Sequence, residues 1–254
     1  MLTNTHLIGL FNRSIKMIEN GIKPIWVFDG LPPDLKRNEL RKRKKMKMAA
    51  NEIMEDAKEI GDIKEELKQH KRTVKMSGKI IDDAMKMLSL MGLPVIKAKS
   101  EAEAQCVDLL KRGLVDAVAS EDLDCLTFGC KLMIKGLKAK KDAIFEIDLP
   151  KVLIGLELTM DEFIDFCILC GCDYTQTIKN FGPVSALKYI QEYKTIEKVL
   201  EALKLENKKK DKIRYIVPSG EHFMFEEARK LFKTPDVLED VPEVIFVYYK
   251  CIKQ

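Results

Sequence analysis

The apolar residues Leu7, Leu10, Phe11, Ile15 and Ile18 recur at three- and four-residue spacing, predicting a helix over residues 6–19 that Asn20-Gly21 ends. Pro24-Ile25-Trp26-Val27-Phe28 follows as a continuous apolar run, the pattern of a short strand buried on both faces. Asp29-Gly30 and Pro32-Pro33 break it. Residues 34–70 are charged and helix-prone, with an interruption expected at Gly61, and a second amphipathic helix is predicted over 79–91. Three more strands are expected at 93–96, 117–119 and 131–134, with a helix opened by Ser100 and closed near Gly113 between the first two. After a strand at 144–147 the pattern turns helical. Residues 161–170 are amphipathic, Gly171-Cys172-Asp173-Tyr174 ends that helix, 178–183 reads as a tight turn, and 184–193 is another helix. Residues 206–214 read as a lysine-rich loop.

Alternation of strand and helix argues for an α/β fold, a mostly parallel twisted sheet flanked by helices. In such sheets ligands bind beyond the carboxyl ends of the strands. Asp29 follows the strand ending at Phe28, Glu101 and Glu103 follow the next, and Asp122 and Asp124 follow the one ending at Ala119. Asp173 comes after a later helix. Like charges gathered in one place repel unless cations hold them together. An all-carboxylate set favours hard, oxygen-seeking Mg²⁺ or Mn²⁺.

Each piece also has an ordinary reading. Asp122-Leu123-Asp124 could be a simple turn, although in an extended segment residues two apart point to the same side and could share an ion. Ser100 and Glu103 have the spacing of a capping box, which would make Glu103 structural. In the first turn of a helix, Glu101 and Glu103 could instead both reach forward.

Charge distribution adds to the picture more than the total does. At 254 residues the chain can bury a sizeable core. Its net charge is only +4, yet eight of the twelve residues from 36 to 47 are Lys or Arg. Lys36, Arg43 and Lys47 fall on one helix face together with Leu40. That run could be a solvated face or a nuclear localisation signal; a phosphate-binding helix is the reading favoured here. No apolar run approaches the ~20 residues of a membrane span, and the first residues show no signal-peptide core. The seven cysteines lack metal-ligand spacing and read as reduced thiols of a nuclear or cytosolic protein. His6, His70 and His222 show no partner spacing, which argues against a histidine base or a nucleophilic triad.

Taken in order, four blocks resemble the flap endonuclease branch of the XPG-type structure-specific 5′ nucleases. Val27-Phe28-Asp29-Gly30 with Pro32-Pro33 and Leu35-Lys36 is similar to the first block. Ser100-Glu101-Ala102-Glu103-Ala104-Gln105-Cys106 and Ser120-Glu121-Asp122-Leu123-Asp124-Cys125-Leu126-Thr127-Phe128-Gly129 resemble the internal block. Gly171-Cys172-Asp173-Tyr174 with Asn180-Phe181-Gly182-Pro183 resembles the helix-hairpin-helix segment. The resemblance implies a nuclease core over residues 1–160, with a helical arch at about 31–76 and an internal block at about 89–160, and a helix-hairpin-helix region over 161–254. It further implies two-metal-ion cleavage of 5′ flaps, with a 5′–3′ exonuclease activity, in DNA replication and repair. Two Mg²⁺ ions are expected, with Mn²⁺ able to substitute. Glu101, Glu103 and Asp122 would ligate one, with Asp29 close by, and Asp124 and Asp173 would serve the second.

Lys36 and Arg43 match the family's catalytic cations. DNA contacts are implied for Lys36, Arg43, Lys47, Glu101, Gly171, Asp173, Lys179, Gly182 and Lys188. A monomer acting in the nucleus, with the mitochondrion as second compartment, is expected. Three departures accompany the resemblance. The family begins with a strand ending in a further metal-site Asp, and this chain starts at Met1-Leu2-Thr3-Asn4 after that region, so a truncated product of reduced activity, binding branched DNA without cutting it, is the alternative. Asn180 stands where the hairpin usually has Gly, and Val184 and Ser185 where basic residues follow, with Lys179 and Lys188 as the nearest replacements. Pro242 stands where the sliding-clamp motif would have Gln, so residues 242–254 are expected to be core strand or packing, and clamp binding, which the family implies, lacks its C-terminal motif here.

Overall fold

A computed structural model describes residues 5–73, 77–137, 143–208, 214–220 and 222–241. They fall into two compact units. The first takes described residues 5–26 and 37–96, the second 27–36 and 97–241.

The first unit is helical. Helix α1 (Thr5–Glu19) packs on α4 (Gly78–Leu90), and α2 (Arg37–Glu59) packs on α3 (Ile63–Thr73). Gly61 makes the turn between α2 and α3 with φ of 76°, a left-handed conformation that glycine adopts without cost. The Asp62 carboxylate then accepts the Glu65 N–H at 3.1 Å and opens α3. Ala50 and Ala57, seven residues apart on α2, are buried, as is Gln69 on α3. This helical pair takes residues 37–73 of the segment expected to form the arch; residues 31–36 belong to the second unit, and 74–76 lie outside the described residues.

Strands β1 (Trp26–Phe28) and β2 (Val95–Lys97) form a two-stranded sheet. The Trp26 N–H donates to the Pro94 carbonyl at 3.0 Å and the Ala98 N–H to the Phe28 carbonyl at 2.8 Å, so the bonds climb both strands together. All three β1 residues are half-buried, not enclosed on both faces as the apolar run predicts.

The second unit carries β3 (Val118–Ala119), β4 (Leu132–Lys135) and β5 (Phe145–Asp148). Strand β3 runs parallel to β4, and β5 returns antiparallel with Leu132 opposite Asp148. The α/β architecture therefore takes the form, among the described residues, of two small sheets together with helices. The helices of this unit are α5 (Ala102–Lys111), α6 (Asp124–Thr127), α7 (Leu149–Leu156), α8 (Met160–Cys170), α9 (Pro183–Tyr193), α10 (Ile196–Lys208) and α11 (Phe225–Lys233). Of these, α5 packs on β3 and α7 on β5, while the later ones pack on one another. Thr159 and Glu162 close a capping box at the start of α8. Helix α10 extends through residues 206–208, the start of the stretch expected to be a loop, because Ile196, Val199 and Leu203 bury one face. Residues 209–213 lie outside the described residues, as does 242–254, where the sequence predicts core strand rather than a clamp motif. The core is continuous from Met133 on β4 through Ile168 and Leu169 to Ile190 and Phe232. No described helix is long and apolar enough to cross a membrane.

Candidate metal centre

The six acids singled out in the sequence, and Lys36, all belong to the second unit. Asp29 follows β1 directly, and Gly30 fixes what comes next. Its N–H donates to the Ser100 carbonyl at 2.7 Å. A Cβ at Gly30 would stand 2.1 Å from the Ala98 carbonyl oxygen and 2.5 Å from that of Lys99, so any side chain would force the two segments apart. This contact brings Asp29 to the N-terminus of α5, where its Oδ1 accepts the Ala102 N–H at 2.9 Å.

That bond replaces the capping box the local sequence predicts. Glu101 is the N-cap residue of α5, makes no side-chain cap bond, and leaves Ser100 one position too early. The helix's orphan donor is met by a carboxylate 73 residues away in sequence. Glu101 is thereby released from capping, while the Glu103 carboxylate accepts its own backbone N–H. Carboxylate oxygens of Asp29, Glu101 and Glu103 lie within 4.8 Å of one another. The positive end of α5 favours negative charge there.

Asp122 and Asp124 do not lie in an extended segment. The Ser120 hydroxyl accepts the Asp122 N–H at 3.1 Å, and Asp122 Oδ1 accepts the Asp124 N–H at 3.1 Å, so the pair forms a turn that starts α6. Asp173 stands after Gly171, which ends α8 with φ of 116°. The aromatic core anchors both places. Phe128, just past α6, and Tyr174, beside Asp173, pack on Phe232 with ring centroids 5.0 and 5.2 Å away.

Lys36 ends a 3-10 turn over Asp34–Lys36 and is not part of α2, so the helix-face spacing with Arg43 and Lys47 does not apply to it. Its side chain is 15% exposed, and Nζ donates to Glu101 Oε2 at 2.5 Å and lies 3.3 Å from Asp173 Oδ2. Burial works against its charge, but Glu101 and then Asp173 outweigh burial and hold the ammonium above its ordinary pKa. Burial chiefly, then the fields of Asp29, Asp122 and Glu101, raise the Glu103 carboxyl. Asp124 is pushed up to about 7 by burial first, then by Asp122 and Asp173, with Lys36 in opposition. Asp122 is thus felt on both sides of the cluster, although the tight threesome contains Asp29 in its place. Lys36 pairs with two of these carboxylates, and an oxygen-only donor set of this kind fits hard divalent cations.

The remaining candidates stand on other elements. Arg43 and Lys47 sit on α2 in the first unit, where Arg43 Nε bonds Glu39 Oε1 at 3.1 Å. Lys179 pairs its backbone with Ile216, and Asn180 takes the left-handed conformation with φ of 63° while its amide donates to the Arg214 carbonyl at 3.0 Å. Gly182 caps α9 without a side-chain bond, Val184 beyond it is 87% exposed, and Lys179 and Lys188 are exposed. The six described cysteines are free thiols. Burial pushes Cys106 and Cys167 up to about 12, which leaves them protonated and poorly nucleophilic.

Two family patterns match the chain: the XPG N-terminal domain over residues 1–50 and the XPG I-region over 92–173. The chain is 48% identical over 234 residues to Flap endonuclease 1-1 of Paramecium tetraurelia, covering 91% of this chain and 60% of that protein. It is 49% identical over 243 residues to Flap endonuclease 1-A of Sorghum bicolor, covering 94% and 62%. It therefore spans about 60% of the length of these relatives. Among solved structures, flap endonuclease-1 from Methanococcus jannaschii superposes with a TM-score of 0.65 at 32% identity, covering 93% of this chain and 70% of that one. The catalytic core of Rad2 in complex with DNA substrate gives a TM-score of 0.72 at 27% identity, covering 94% and 74%.

Proposed function

Since the chain belongs to the flap endonuclease branch of the XPG family, we propose that it is a divalent-metal-dependent nuclease that cleaves branched DNA at 5′ flaps. The observation that carries this reading is the convergence of Asp29, Glu101, Glu103, Asp122, Asp124 and Asp173 from separate elements into one electrostatically coupled cluster. Asp29, Glu101 and Glu103 would hold one cation and Asp124 and Asp173 a second, with Asp122 between them. Mg²⁺ is the cation proposed, with Mn²⁺ as substitute. Bound there, the cations would supply a water of lowered pKa and charge neutralisation at the scissile phosphate.

The chain's own residues do the rest. Lys36 reaches the acid cluster from a short turn and can present its ammonium to a phosphoryl oxygen. Arg43 and Lys47 on the basic helix α2 would meet the flap strand, and the α2–α3 pair would act as the arch that admits single strands. The N-terminus of α9 behind Gly182 offers backbone N–H groups to a duplex phosphate, with Lys179 and Lys188 beside that turn in sequence. Action on replication and repair intermediates in the nucleus follows from the same reading.

A labelled 5′-flap duplex incubated with Mg²⁺, beside a binding assay in Ca²⁺, tests it. Cleavage near the flap junction is expected, and Asp122→Asn should lower it by about two to three orders of magnitude while binding in Ca²⁺ persists. Binding with no product at stoichiometric protein would leave a branched-DNA-binding protein and remove the enzyme.

A further inference from the structure

We propose that Lys36 is the resident counter-ion of the carboxylate cluster and that incoming divalent cations displace its ammonium, so that loading the site releases the residue that meets the phosphate. The inference rests on the metal-nuclease reading and adds an order of events to it.

Lys36 Nζ bridges two parts of the cluster. Glu101, at 2.5 Å, belongs to the threesome with Asp29 and Glu103, whereas Asp173, at 3.3 Å, neighbours Asp124. An ammonium in that position offsets repulsion among the acids and opposes the raising of Asp124. It also stands where it competes. A hard cation binds carboxylate oxygens at about 2.0–2.5 Å. Glu101 Oε2 cannot take such an ion and keep an ammonium at its present distance without placing two positive charges against each other. The side chain is the part that can move. The Lys36 N–H is tied to the Pro33 carbonyl at 3.0 Å, which holds the backbone of the turn, while the four-carbon stem carries rotatable single bonds that can re-aim the ammonium. Displacement therefore takes a change of rotamer and the loss of the bonds to Glu101 and Asp173, with the backbone left in place.

Two measurements without DNA test this. Lys36→Met keeps the stem and removes the charge; by calorimetry it should bind Mn²⁺ or Ca²⁺ about tenfold more tightly than the unaltered protein, although cleavage falls. Acylation of the Lys36 amine, followed by mass spectrometry on the unaltered protein, separates displacement from simple long-range repulsion. It should be slow in chelator and several-fold faster in saturating Ca²⁺. The second readout does not depend on the variant folding. Unchanged or weaker cation affinity in a folded Lys36→Met, or an acylation rate that Ca²⁺ leaves alone, overturns the inference while the metal-nuclease reading stands. An unaltered protein that binds neither cation overturns both.

Discussion

Two clusters in the second unit combine acids with a base, and they are built to opposite rules. At the first, Arg229 donates from Nε and Nη2 to the buried Asp165 at 2.7 and 2.8 Å, and from Nη1 and Nη2 to Glu197 at 2.8 and 3.1 Å. Asp165 also accepts the Ile196 N–H at 3.1 Å, and the guanidinium lies 5.4 Å from the centre of the Phe225 ring. Hydrogen bonds to Glu197, against the opposing effect of burial, and then to Asp165, raise the arginine. This network ties α8, α10 and α11 together with its donors matched to its acceptors. In the second cluster Lys36 pairs with Glu101 and Asp173, and burial followed by like charges lifts Asp124 to about 7. The first network pairs opposite charges; the second gathers like charges, the arrangement that the proposed cations would offset.

The largest expected effect follows from removing one member of each. Arg229→Met should destabilise the fold by about 3 kcal/mol, because it strands Asp165 as a buried charge. Asp124→Asn should not destabilise the protein in chelator at pH 8 and should raise its melting temperature, since it removes a carboxylate that burial and its neighbours oppose. Urea unfolding of both variants, side by side, decides the matter. Equal losses of stability would mean that the acid cluster is a structural network after all.

A smaller effect lies in pH. The folded Asp124 titrates near 7, above its ordinary value of 3.8. In the absence of cations, its contribution to stability is fully present below about pH 3.8 and is lost as pH rises through about 7. A cation needs the carboxylate ionised, so its binding must expel this proton in the acid range. Apparent Ca²⁺ affinity should climb by up to about tenfold per pH unit from 5 to 7 and level off above, with proton release visible by calorimetry in two buffers. Asp124→Asn should bind the cation more weakly and flatten that profile. Proton release equal at pH 6 and pH 8 would contradict it.

The two clusters also differ in how far they can be read from the chain. Asp29, Glu101, Glu103, Asp122 and Asp124 announce themselves because each follows a short apolar run, and strand ends collect at one edge of such folds. The break at Gly61 was legible for a different local reason: a glycine interrupts a helical pattern. Nothing local announces Asp165 and Arg229, which stand 64 residues apart without periodicity. Local rules also misassign the start of α5. Ser100 and Glu103 satisfy the spacing of a capping box, but the close approach of Gly30 to Ala98 and Lys99 delivers Asp29 to that helix end. Tertiary contact overrides a pattern of four residues. Helix α11 was within reach, since Phe225, Ala228 and Phe232 repeat at helical spacing.

The smallest effect belongs to an ion pair outside both clusters. Glu39 Oε1 accepts from Arg43 Nε at 3.1 Å across one turn of α2, and Lys42 lies 3.6 Å from its other oxygen. The Arg43 side chain is 54% exposed, so water and salt already screen the interaction. Glu39→Gln removes this pair and a favourable charge in the first turn of the helix, which together should cost less than about 1 kcal/mol. The loss should fade in 1 M salt, where the screening length falls to about 3 Å. The loss from Arg229→Met should persist there, because the Asp165 side chain is only 4% exposed and salt cannot reach it. Urea unfolding at low and high salt gives both answers. If the Arg229→Met loss also vanished in high salt, Asp165 would be solvated in the folded protein, and the contrast between the two acid clusters would rest on exposure instead of on matched donors and acceptors.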